Sequence, residues 1–289
     1  MKGLFLGKRA CLLLLCLSLS ACAVKTSYRF LDWIIAWQLD DYLALTNTQQ
    51  IVFDQQLEQI LTWHQKTQLT LYCDWLIDGQ KLLQHPLVLD DLSLWLDQSS
   101  QFWQQLMTQL TPASAQVLVL LSDKQVAVMM QKLHAKLADD RDDYSQLYVQ
   151  GATQDRQEFN RRQGHKIRKQ FIRWLGELSP EQQHWINQWF ELRHDTQGFW
   201  LDNREQWLND FEVVMHERQK PDFKTALASL FIHTQSRRTS VYQKALEDNT
   251  RSALLLIIKL QASLDDQQIN HLNNEIDTWV NVMGDLADQ

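Results

Sequence analysis

The chain has 289 residues, 45% of them hydrophobic, and sets 28 Lys+Arg against 35 Asp+Glu for a net charge of −7. An acidic balance of this kind excludes a broad nucleic-acid surface, and no nucleic-acid partner is expected. The length and apolar fraction suit one large domain or two small ones with a buried core.

The N-terminus places Lys2, Lys8 and Arg9 before an apolar stretch, Ala10 to Leu19. That order is the order of a bacterial export signal, too short to remain in a membrane as a spanning helix. Leu19-Ser20-Ala21-Cys22 closes the segment, and a small residue directly before a cysteine resembles the lipobox of bacterial lipoproteins. The resemblance implies a signal peptide over residues 1–21, a diacylglyceryl group on Cys22 and acylation of the new amine. Ala23 in place of Asp then points to the periplasmic face of the outer membrane, with the inner membrane as the alternative. Loss of the signal would leave 25 cations against 35 anions, a net charge of −10. It would also remove Cys11 and Cys16, leaving Cys73 without a disulfide partner, and Leu71-Tyr72-Cys73-Asp74-Trp75 reads as helix with that thiol as a small buried hydrophobe. The richest later stretch, Ala253 to Ile258, is stopped by Lys259, so only the lipid is expected to enter a bilayer.

From residue 22 to 289 there are six glycines and four prolines, and no stretch alternates with period two. Apolar residues instead advance in helical steps: Leu57, Leu61, Leu69, Tyr72 and Leu76, then Leu92, Trp95, Phe102, Leu106 and Leu110. The expected fold is all-α, an elongated bundle of long antiparallel helices, with a division into two sub-bundles near residues 145–152. Helices are expected over about 27–43, 47–77 and 91–109. A short one follows Thr111, a longer one starts at Ser122, and a basic one runs from Thr153 to Gly176. A long one covers Pro180 to Glu217, and others begin near Phe223, Val241 and Asp266. Four starts share one pattern: Leu45-Thr46-Asn47-Thr48-Gln49, Leu121-Ser122-Asp123-Lys124-Gln125, Leu178-Ser179-Pro180-Glu181-Gln182 and Leu264-Asp265-Asp266-Gln267-Gln268. This is the capping box, in which the first oxygen accepts from a first-turn amide and the Gln reaches back to the cap's own N–H. Leu110-Thr111-Pro112 is a partial version. Gly79 and Gly151 read as helix stops, and Gly164 and Gly198 as weak points inside helices.

Little here carries chemistry. Glu181-x-x-His184 and Glu191-x-x-His194 each match half of a di-iron site but lie on one expected helix, so no metal or other cofactor and no catalytic residue is assigned. The twelve tryptophans are the notable excess. Trp200, Arg204 and Trp207 share a stripe, and Trp189 and Arg193 repeat the i, i+4 relation. Together with Arg168 and Arg173, these are expected to form an Arg/Trp network that fixes helix register through stacking and carboxylate pairing. The segment from Arg156 to Arg173 is basic against the trend of the chain. It either pairs with the acidic run Asp139 to Asp143 or meets an anionic glycan or lipid through Arg161, Arg162, Lys166 and Lys169.

Tyr28-Arg29-Phe30-Leu31-Asp32-Trp33, Trp37, Asp41-Tyr42, Leu45-Thr46, Arg173-Trp174-Leu175-Gly176-Glu177-Leu178 and Ser179-Pro180-Glu181-Gln182 resemble an uncharacterised family of helical lipoproteins from Gram-negative proteobacteria. That family brings no activity with it. The Leu-Thr/Ser-x-x-Gln boxes are also similar to those of small periplasmic helical chaperones that bind unfolded envelope proteins. The expected function is therefore a non-enzymatic, lipid-anchored binding, chaperone-like or assembly protein with an envelope partner. An envelope hydrolase acting on peptidoglycan or lipid is the alternative.

Overall fold

The computed structural model describes residues 21–148 and 153–289. Among the described residues the regular elements are helical and none is a strand: α1 (Ala21–Arg29), α2 (Leu31–Asp40), α3 (Asn47–Trp63), α4 (Leu69–Leu82), α5 (Leu89–Leu118), α6 (Asp123–Gln146), α7 (Thr153–Leu175), α8 (Pro180–Leu192), α9 (Gln197–His216), α10 (Phe223–Ile232), α11 (Ser240–Gln261) and α12 (Asp266–Ala287). The fold is all-α, as expected. The long pairings join early helices to late ones: α4 lies on α12, α5 on α10 and α6 on α9. Gly151 and the expected division point fall partly outside the described residues.

All four helix starts form as complete capping boxes, at Thr46/Gln49, Ser122/Gln125, Ser179/Gln182 and Asp265/Gln268. They also pair with one another. Gln49 Nε2 donates to Gln125 Oε1 at 3.1 Å and Gln125 Nε2 returns the bond to Gln49 Oε1 at 2.8 Å. Gln182 and Gln268 repeat the arrangement at 3.0 and 2.8 Å. The spare amide hydrogens reach main-chain carbonyls: Gln49 that of Leu120, Gln125 that of Ala44, and Gln268 that of Glu177. Each amide thus satisfies both its acceptor and its donor capacity, which is what allows Gln182 to be 1% exposed without penalty. Leu121 and Leu178, which open two of the boxes, are buried in the adjoining cores. Arg218, also buried, crosses beside the first clamp and donates to the carbonyls of Leu121 and Met215 and to the exposed carboxylate of Asp123.

Several expected boundaries move, each for a visible reason. The helix expected over 27–43 is two helices that meet at Phe30, whose φ of −107° and ψ of 15° break the spiral. The helix from Asn47 passes through a π-turn, His64–Gln68, and runs to Leu82 without stopping at Gly79. Pro112 does not start a helix; it lies inside α5, where Thr111 Oγ1 bonds the Met107 carbonyl and Ala113, Ala115 and Val117 are buried. That burial offsets the lost N–H. The stretch from Pro180 to Glu217 is interrupted after Leu192: Arg193 is extended, and Asn249 of α11 binds both the N–H (2.8 Å) and the C=O (2.9 Å) of His194. Gly164 and Gly198 are helical as expected, and Gly176 ends α7 with φ +73°, the left-handed cap that glycine adopts without strain.

At the π-turn, His64 is held between two tyrosines, with the Tyr28 hydroxyl 3.0 Å from Nδ1 and the Tyr72 hydroxyl 3.4 Å from Nε2. Burial lowers its pKa from 6.5 and pushes the Tyr28 phenol up to about 12. A depressed imidazole means that the unfolded chain takes up the proton first as pH falls. The stability that neutral His64 supplies is therefore full above 6.5 and is lost as pH falls through the folded value. Between about pH 7 and about pH 5 the melting temperature of the wild type should fall more steeply than that of His64→Gln. Parallel curves for the two proteins would exclude His64 as the titrating group.

Candidate functional site

Five of the twelve tryptophans lie on α4, α5, α7 and α12, and they gather in a way that periodicity alone does not announce. Trp75 and Trp95 stack face to face, with centroids 4.1 Å apart and planes 4° from parallel. Each indole N–H donates to the other residue's carbonyl at 2.8 Å. Gly79 permits this approach, since a Cβ there would stand 2.6 Å from Trp95 Cζ2. The glycine read as a helix stop is thus a packing site. Phe102 meets Tyr72 and Trp75 edge-on, at 4.9 and 6.1 Å. Tyr72, Trp75 and Phe102 form one wall of a hollow of ≈ 430 Å³, lined also by Leu76, Ser99, Trp103, Leu106, Trp174, Trp279 and Met283. Its lining holds no charged side chain. Trp103 stands 55% exposed at the edge. The Arg173 guanidinium lies 5.3 Å over Trp279 and 4.0 Å from Glu275. Cys73, next to the wall, is buried, and burial pushes its thiol pKa up, the setting of an inert side chain.

A second hollow, of ≈ 610 Å³, lies against a different face of α5 and is lined by Trp63, Thr67, Gln68, Gln101, Gln104, Gln105, Thr108 and Gln109. Gln68 is 2% exposed and donates to Gln105 Oε1 at 3.0 Å, while its own Oε1 has no partner.

The expected Arg/Trp residues separate between two cores. Arg204 lies 4.7 Å over Trp207, whose N–H bonds the Leu230 carbonyl; burial lowers the pKa of this guanidinium. Trp189 packs in the other core and bonds Ser252, while Arg193 lies over Phe190 at 4.5 Å, not over Trp189. Trp200 is 42% exposed. Arg173 lies 4.0 Å from Glu275, and Arg168 keeps a buried Nε without a hydrogen-bond partner among the described residues. The basic face divides as well. Arg161 and Arg162 both bind Glu158, which holds that carboxyl below its usual range, whereas Lys166 and Lys169 are exposed and make no ion pair among the described residues. The acidic run does not neutralise this helix. Asp140 pairs with Lys136 of its own helix, and Arg141 reaches Asp202 and Glu205 of α9. His194 faces Asp248 at 3.7 Å, and among the described residues no three metal-binding side chains gather. The side chain of Cys22 lies outside the described set.

The aromatic wall is the part that sequence reasoning passed over. Its signal is present as two facing stripes, Tyr72/Trp75/Leu76/Gly79 and Trp95/Ser99/Phe102/Trp103/Leu106, but both read as ordinary core. No curated protein and no solved structure matches the chain. One family does, across most of the length: residues 41–243 match the family of unknown function DUF6279, and the chain belongs to it.

Proposed function

We propose that the protein is a lipid-anchored, non-enzymatic envelope factor that holds an apolar, aromatic-bearing segment of a partner protein in the hollow between α4, α5, α7 and α12. The observation that carries this reading is the lining itself: six aromatic side chains with aliphatic neighbours and no charge, open to solvent beside the half-exposed Trp103. Rigid indoles supply large contact area at little cost in conformational entropy, and anchors of this type dominate binding energy. No carboxylate lines the hollow, so a hydrolytic reading has no acid or base to place there. The exposed Lys166 and Lys169 add attraction for an anionic surface, with Arg161 and Arg162 already sharing Glu158.

Reduced, carboxymethylated lactalbumin, a permanently unfolded chain, is a suitable probe. Trp103→Ser, at an exposed position, should leave the melting temperature unchanged and weaken binding of this probe about tenfold, the loss of one aromatic anchor. Equal affinity in a folded variant would remove the hollow from consideration. The anchor is tested separately: labelled palmitate should enter the wild type and not Cys22→Ser.

A further inference from the structure

The helix that follows α1 is only lightly packed: Leu39 reaches the core, while Phe30, Trp33 and Trp37 are left facing outward. α2, Leu-Asp-Trp-Ile-Ile-Ala-Trp-Gln-Leu-Asp, contains no buried residue although its composition is strongly apolar. Phe30, Trp33 and Trp37, at i, i+3 and i+7, stand 56%, 63% and 55% exposed, and the two indoles stack with centroids 6.4 Å apart. Three large aromatics in one exposed stripe are a liability for a freely diffusing protein.

α1 makes this stripe a placed feature. Val24 and Tyr28 pack with Leu69, Val282 and Leu286; Lys25 pairs with Asp285 at 3.0 Å, and Arg29 donates to Gln289 at 3.3 Å. Phe30 follows Cys22 by eight residues, roughly 12 Å of helical rise along α1, and Trp37 lies beyond the break, roughly 10 Å further along α2. Acyl chains on Cys22 and the aromatic ridge therefore fall within reach of the same plane. Indoles favour the boundary between headgroups and acyl chains, where the ring is apolar and the N–H remains wet. Charge narrows the surface further. α2 carries Asp32 and Asp40 and no cation, and the nearest cations, Lys25 and Arg29, are engaged within the protein. The ridge itself thus supplies no attraction to anionic headgroups, so its insertion depends on the rings.

We infer that Phe30, Trp33 and Trp37 form an interfacial ridge that inserts into a zwitterionic phospholipid surface, and that it fixes the orientation of the body above that surface. This rests on the lipid-anchor reading of Cys22. With two points of attachment, acyl chains and ridge, the protein stands at a set angle and does not swing on a tether.

The test uses the purified full-length lipoprotein on phosphatidylcholine vesicles whose acyl chains carry bromine near the headgroup. Bromine quenches indoles at that depth. The wild type should show a lipid-quenched component of the order of two of its twelve tryptophans. Phe30→Ser/Trp33→Ser/Trp37→Ser, with an unchanged melting temperature, should lose it. The quenching should persist in high salt, because no surface charge is involved. Equal quenching in both proteins, or quenching that collapses with salt, would overturn the ridge. If the stripe instead covers a second copy, quenching is absent and Trp37→Cys protein crosslinks to itself, which also overturns it. The mass of the purified protein reports acylation independently: an unacylated Cys22 sinks the anchor reading, while the ridge is still judged by quenching.

Discussion

Gln182→Leu is expected to be among the most damaging single substitutions in the protein, at about 3–5 kcal/mol, although it puts an apolar residue into an almost fully buried site. The reason is what the glutamine leaves behind. Its side chain accepts from the Ser179 N–H at 3.0 Å, exchanges two bonds with Gln268 and reaches Ser263 Oγ at 3.0 Å. Leucine fills the space but strands one Nε2 hydrogen of Gln268, itself 5% exposed, and deprives the Ser179 N–H of its acceptor; each unsatisfied buried group costs about 1–3 kcal/mol. The double variant Gln182→Leu/Gln268→Leu removes both ends of the exchange and should cost less than the sum of the single changes by about 1–3 kcal/mol. Denaturant midpoints for the four proteins measure this directly. Simple additivity would mean that the two helix starts do not communicate. Ser179→Ala, which loses only the cap on Gln182, should cost about 1 kcal/mol and serves as the local reference.

Gly79→Val should have a comparable effect by the opposite route, overfilling. The new Cβ would sit 2.6 Å from one Trp95 ring atom and 2.8 Å from another, so the indole must leave its place against Trp75. Overpacking costs about 1–3 kcal/mol, and the reciprocal indole hydrogen bonds go with the stack. The expected outcome is a loss of about 3 kcal/mol together with a changed near-ultraviolet circular-dichroism signal, as the two indoles lose their fixed mutual packing. Gly79→Ala gains about 1 kcal/mol of helix propensity, so its net penalty should be clearly smaller. If Gly79→Val kept the near-ultraviolet signal and the stability, the close approach would not be a determinant of this wall.

The all-helical architecture was legible because it depends on local features: few glycines and prolines, apolar residues in helical steps, and caps whose hydrogen bonds lie within four residues. Other features were not local, and for that reason they were hidden. The interruption at Arg193 depends on Asn249, which is 55 residues from His194 in the chain. The continuity of α5 through Pro112 depends on burial of the residues that follow it. Gly79 carries the same letter whether it ends a helix or admits an indole, and only the facing Trp95 decides. The aromatic hollow was hidden for a related reason. Two apolar stripes predict that the helices meet, but not that a third and fourth helix leave a gap beside them. The exposed ridge on α2 was visible as residues, yet its lack of a covering partner among the described residues could be seen only once the other described helices had been placed.

The paired helix starts bear on how the chain finds its fold. Each glutamine is already held by its own cap, so its rotamer is fixed before the partner arrives, and little further side-chain entropy is lost when the two amides meet. The bonds they make close segments of 76 and 86 residues, distances at which chain closure is costly and slow. Local ordering thus prepares the contact that fastens remote segments. A helix that forms early presents a finished half of a clasp, and a cap mutation that frees one glutamine should slow the closing of a loop whose far end lies in another part of the molecule.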